Sequence, residues 1–139
     1  MSEPCIRSMG PAEAADLLAP DGSEIRLLPK LDRGSMVHCR LPPGAVSRAI
    51  RHRTVEELWY VLAGEGELWR AGGDVERVAA LRPHTAHTIP CGVRFQFRNT
   101  GLAPLDIVIV TMPPWPGEEE AEYVAGIWEP NVDRPGAGG

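Results

Sequence analysis

Along the middle of this chain, apolar and polar residues alternate with a period of two. In an extended strand, successive side chains point to opposite faces. Positions 57, 59 and 61 therefore share one face, and so do 48, 50 and 52. From Val93 to Asn99 the pattern is clean, with Phe95 and Phe97 on one side and Arg94, Gln96 and Arg98 on the other. Turn-forming stretches at Asp21-Gly22, Pro42-Pro43-Gly44, Ala71-Gly72-Gly73 and Pro90-Cys91-Gly92 separate short runs rich in Val, Ile, Leu, Trp and Phe. Such punctuation predicts an all-β antiparallel barrel or sandwich. Ahead of it, Pro11 to Leu18 reads as one short helix, with a proline in its first turn and a stop at Pro20. Beyond Thr111, the prolines of Pro113-Pro114-Trp115-Pro116-Gly117 remove ladder donors and exclude a central strand. The expected layout is a barrel core over about 24–112, an arm over 113–130 laid on the barrel or on a neighbouring subunit, and a disordered end over 131–139.

Within the barrel region Gly44, His52, Glu57 and Gly64 fall at fixed offsets, and Pro90, Gly92 and Asn99 follow at a second set. In these two motifs the chain resembles the cupin superfamily, small β-barrels built around a metal ion. The resemblance implies a single-domain jelly-roll barrel, a double-stranded β-helix closed at one end, and a homodimer. It also implies four metal-ligand positions, of which His52 and Glu57 fill two while Ile50 and Phe95 stand at the others. His84 stands where the second motif has an early turn glycine. No cofactor is therefore expected. The alternative is a divalent transition metal held by His52 and Glu57 with His38 or His87, since stable sites use three or four protein ligands.

The 139 residues suit one domain. A net charge of −5 and the acidic run Glu118-Glu119-Glu120 argue against nucleic acid as a partner. No apolar stretch reaches the ~20 residues of a membrane-spanning helix, so no membrane partner is expected. Cys5, Cys39 and Cys91 are odd in number and lack paired spacing, against a disulfide framework and in keeping with a cytoplasmic location.

Alternation places Arg48, His52 and Glu57 as the polar groups of a pocket lined by Ile50, Trp59, Val61, Phe95 and Phe97. His52 and Glu57 either satisfy one another inside the barrel or form an acid/base pair, the carboxylate raising the histidine's pKa and orienting its ring. Arg48 is the expected anion anchor. His38 reads as a satisfied strand histidine, His84 as exposed, and His87 as open in direction. Cys91 reads as an idle thiol, and Trp69, Trp115 and Trp128 as packing or interface residues. The expected function is binding of a small organic molecule, hydrophobic or aromatic, with non-oxidative chemistry of the isomerase, cyclase or lyase type. The alternatives are a non-catalytic ligand-binding or sensory cupin, and a metallocupin with rearranged ligands.

Overall fold

The computed structural model describes residues 4–135, and within them the barrel forms as two facing antiparallel sheets. The strands are β1 (Leu17–Leu18), β2 (Glu24–Leu31), β3 (Gly34–Leu41), β4 (Ile50–His52), β5 (Glu56–Ala63), β6 (Gly66–Gly72), β7 (Val75–Leu81), β8 (Ala86–Ile89), β9 (Arg94–Asn99), β10 (Leu105–Met112) and β11 (Ala121–Tyr123). One sheet runs in the order β1-β2-β3-β10-β5-β8 and the other β11-β4-β9-β6-β7. The period of two becomes an alternation of buried and more exposed residues in β5 and β10. Between the sheets lie Val37, Cys39 and Leu41 of β3, Trp59 and Val61 of β5, Leu68 of β6, Phe95 and Phe97 of β9, and Leu105, Ile107 and Ile109 of β10. Gly64 turns β5 into β6 at φ 91°, and a Cβ there would run into the Pro104 carbonyl. His84 takes the left-handed conformation at φ 68°, the geometry for which a glycine is the usual choice, and it is exposed.

The helix expected over Pro11 to Leu18 does not form. Residues 4–16 carry neither helix nor strand, and Leu17–Leu18 join the first sheet as β1. A helix this short is not self-supporting in water, and partners in β2 claim its polar groups. Arg26 donates from Nε to Ala12 O at 3.0 Å and from Nη2 to Glu13 O at 3.1 Å. The Asp16 carboxylate accepts the Leu27 N–H at 2.7 Å. Among the described residues no helix is long and apolar enough to cross a membrane.

The arm packs on this chain's own barrel. After a short 3-10 turn, Glu118–Glu120, strand β11 pairs with the edge strand β4. Val124 and Trp128 then cover Ala49, Trp69 and Ala71 on the outer face of the five-stranded sheet. This cover explains why Gln96, outward-facing in β9, is buried. Its Nε2 donates to Ser47 O and Trp128 O, both at 2.8 Å, while its Oε1 accepts from Ile127 N–H at 2.9 Å and Trp128 N–H at 3.0 Å. Gly126 lets the arm lie flat here, because a Cβ would collide with the Gln96 carboxamide and Ala49. The arm also continues past residue 130, into the end expected to be disordered. The Asn131 Oδ1 accepts the Val46 N–H at 2.7 Å, and Val132 packs against the main core. Residues 136–139 of that end lie outside the described residues.

Gln96→Leu leaves two part-buried N–H donors and two carbonyls, one of them buried, without their partner, and an unsatisfied buried group costs about 1–3 kcal/mol. We expect a loss of about 3 kcal/mol in chemical denaturation and faster proteolysis within 113–135. An unchanged midpoint would show that Gln96 does not tie the arm to the barrel.

Candidate functional site

At one end of the barrel the inward-facing residues turn from hydrocarbon to polar. Cross-strand register sets Ser35 of β3 beside Thr111 of β10, and Thr111 beside Glu57 of β5. All three are buried, and the Ser35 and Thr111 hydroxyls are hydrogen-bonded. His52 enters from the opposite sheet, with Nε2 3.9 Å from Glu57 Oε2. The other carboxyl oxygen, Oε1, accepts the Trp59 Nε1–H at 3.0 Å. The His52 ring is held between two aromatic rings. Phe95 meets it at 5.2 Å and 67°, Trp115 at 5.3 Å and 75°. Trp59 packs edge-on against Phe95 at 5.7 Å and Phe97 at 5.0 Å. Trp115 belongs to the arm, and its backbone N–H donates to Ser35 Oγ at 3.1 Å.

These surroundings decide the protonation states. Burial pushes Glu57 up to about 8, opposed by the Trp59 hydrogen bond and reinforced by the carboxyl of Asp21. Burial lowers His52 to about 4, against the pull of Glu120. Near neutral pH both groups are uncharged. The expectation that a carboxylate raises the histidine's pKa is thus reversed. A protonated Glu57 offers no negative charge, and 3.9 Å is too long for a hydrogen bond that would favour the imidazolium. His52 Nδ1 is buried and has no hydrogen-bond partner.

Ile50 faces inward as the register partner of Phe95. Ile50, Trp59, Val61, Phe95 and Phe97 are each at most 2% exposed, so they form a packed core. Arg48 is not joined to the polar pair. Its backbone N–H donates to Asp21 O at 2.8 Å, and its Nε is buried without a partner. His38 points away from the interior occupied by its neighbour Cys39, with Nε2 3.2 Å from the Asp106 carboxylate on β10. His87 is half-buried on β8 with Nε2 2.9 Å from Thr85 Oγ1. Cys91 is exposed, its thiol 3.2 Å from Arg53 O, and all three cysteines are free.

Four residues near the pair escaped the sequence reading as site members: Asp21, Ser35, Thr111 and Trp115. Thr111 carried a usable signal, since it follows Leu105, Ile107 and Ile109 on the apolar face of one strand. Ser35 becomes visible only through its pairing with Thr111, and Asp21 through a turn that tucks its side chain inside. Trp115, a packing or interface residue by sequence, lies in a proline-rich segment where no alternation rule applies.

The sequence profile of the cupin domain matches residues 37–111, and the chain belongs to the cupin family. An uncharacterized protein of Methanocaldococcus jannaschii is 30% identical over 107 residues, covering 73% of this chain and 82% of that protein. Among solved structures, a predicted oxalate decarboxylase of Thermotoga maritima is 18% identical at a TM-score of 0.62, covering 76% of this chain and 99% of that one. Streptomyces PAC13, solved with uridine, is 13% identical at a TM-score of 0.66, covering 88% and 95%. These structural likenesses show the fold.

The residues present do not fit the family's metal ion. Ile50 and Phe95 carry no donor, one oxygen of Glu57 is taken by Trp59, and among the described residues no three His, Cys, Asp or Glu side chains converge. His38 and His87, the expected replacement ligands, are engaged elsewhere. Because Ile50 and Phe95 are adjacent and Phe95 touches His52, Ile50→His with Phe95→His adds two imidazoles beside the existing pair. Either substitution alone should destabilise by roughly 1–3 kcal/mol through imperfectly paired polar burial. The double variant should regain that stability on addition of Zn2+ or Ni2+, read as a metal-dependent melting temperature. A double variant indifferent to metal would mean that these two positions do not converge on the pair.

Proposed function

We propose that this cupin binds a small, flat organic molecule at the polar end of its barrel and transfers protons on it without an oxidative step. The observation that carries the reading is the geometry of the pair: a buried Glu57 carboxyl 3.9 Å from His52, whose Nδ1 has no partner, with burial raising the acid to about 8 and lowering the base to about 4. Glu57 is the proton donor and His52 the acceptor. Positioned acid/base groups of this kind contribute 10²–10⁴-fold to a rate and serve isomerisation, cyclisation or elimination equally. Ser35 and Thr111 offer hydroxyls to a polar substituent, and the aromatic neighbours favour a flat ring over a heavily hydrated sugar. Arg48 is left out of this reading because it has no hydrogen bond or ion pair to either group.

A second reading, a ligand-binding cupin without catalysis, is favoured by one observation: the aromatic interior is packed rather than open. One experiment separates the two. A panel of flat aromatics and sugars is screened by thermal shift, where a ligand at ~100 times its Kd stabilises by about 2.7 kcal/mol. The hits are then incubated in D2O with the protein, and carbon-bound deuterium is read by mass spectrometry. We expect aromatic hits, with exchange that falls at least ~100-fold in Glu57→Gln and in His52→Gln. Binding without exchange supports the non-catalytic reading, and shifts from sugars alone contradict the ligand class.

A further inference from the structure

We propose that Trp115 is the movable wall of this site and selects its ligand: the molecule that enters displaces the indole and lies in its place against the His52 ring. The inference rests on the reading of His52 and Glu57 as the binding end of the barrel and goes beyond it by naming the entrance and the shape admitted.

Three independent features lead to it. The first is the order of burial. Phe95 meets the His52 ring from within the core and is 1% exposed, whereas Trp115 meets it from the arm and is only half-buried. The surroundings of His52 therefore open toward solvent on the side of Trp115. The second is how the strap is tied. At one end Met112 is still paired, opposite Glu56. At the other the Glu120 carboxylate is fixed by the Thr54 N–H at 2.5 Å, the Thr54 hydroxyl at 2.8 Å and the Val55 N–H at 2.7 Å. Between these anchors, residues 113–117 belong to no strand or helix, and Pro113, Pro114 and Pro116 have no N–H to bond. The Trp115 N–H to Ser35 Oγ bond is the backbone tie between anchors, and a single hydrogen bond is worth about 1 kcal/mol net. A segment fixed at both ends, and held to the barrel between them by this one backbone hydrogen bond, can lift without unpairing β10 or β11.

The third feature is what lifting it uncovers. Ser35 Oγ loses the N–H it accepts, and the row Ser35, Thr111 and Glu57 with His52 opposite becomes the floor of an open slot. The vacated space has the outline of an indole, packed edge-on to an imidazole. A flat one- or two-ring molecule with a polar substituent fits that outline, its rings replacing the indole and its substituent meeting Ser35 or His52. A polyol offers no surface to the rings.

Indole serves as the probe. Its Kd is measured by calorimetry for the unaltered protein and for Trp115→Ala, with the His52 ring followed by NMR. We expect Trp115→Ala to bind indole at least ten-fold more tightly, with the His52 ring resonances shifting on binding in both proteins. Trp115→Leu removes the indole while keeping an apolar side chain and should tighten binding by several-fold; it also carries the test if Trp115→Ala does not fold. Equal affinity in all three proteins, with His52 shifting, would overturn the role of Trp115 while leaving the binding end where it is. Indole that binds without moving the His52 resonances, or no binding in any of the three, would overturn both.

Discussion

Removing a carboxyl and an imidazole from water is expensive when either is charged, and this barrel buries both at one end without a basic residue to neutralise the acid. Glu57 receives a single N–H from Trp59 and stands 3.9 Å from His52. Desolvation outweighs that hydrogen bond at Glu57, with Asp21 adding to it, and outweighs the pull of Glu120 at His52, so the acid keeps its proton while the base stays unprotonated. The aromatic rings around the pair maintain that state by excluding water. Phe95 and Ile50, which carry no donor atoms, are also the residues that make the environment apolar. The absence of donor atoms at positions 50 and 95 and the neutrality of the pair thus have one physical cause.

The C-terminal arm is the second constraint. It completes the five-stranded sheet through β11, satisfies Gln96, and lays Trp115 against the outer side of His52. Polar groups on the arm and on the barrel are matched across long sequence separations, as with Glu120 at Thr54 and Val55 and Asn131 at Val46. The barrel surface beneath the arm includes Ala49, Trp69 and Ala71, which would otherwise be exposed. Closure of the site and stability of the fold therefore draw on the same segment.

Much of this was legible in the sequence where alternation is strict. The faces of β5 and β9 follow directly from Glu57, Trp59 and Val61 and from Phe95 and Phe97, and the inward direction of Ile50 and His52 follows in the same way. What was not legible depends on partners distant in sequence. The segment at Pro11 has helical composition, but Arg26 and Leu27 bind its polar groups in an extended form. His38 could not be oriented until Asp106 was placed beside it. Arg48 shares the parity of His52, yet it precedes β4, where parity no longer fixes direction. The protonation of the pair was misjudged because sequence reveals neighbours but not desolvation, and desolvation reversed the sign.

The central claim is that the pair is neutral, and the most direct measurement is the titration of both groups by NMR. The Glu57 side-chain carboxyl carbon and the His52 ring resonances are followed from pH 3 to 9. The account predicts a Glu57 carboxyl that stays protonated through neutral pH and titrates at about 8, with a His52 ring uncharged down to about 4. A Glu57 that ionises near the ordinary value of 4.5, with His52 charging at or above 6.5, would contradict it.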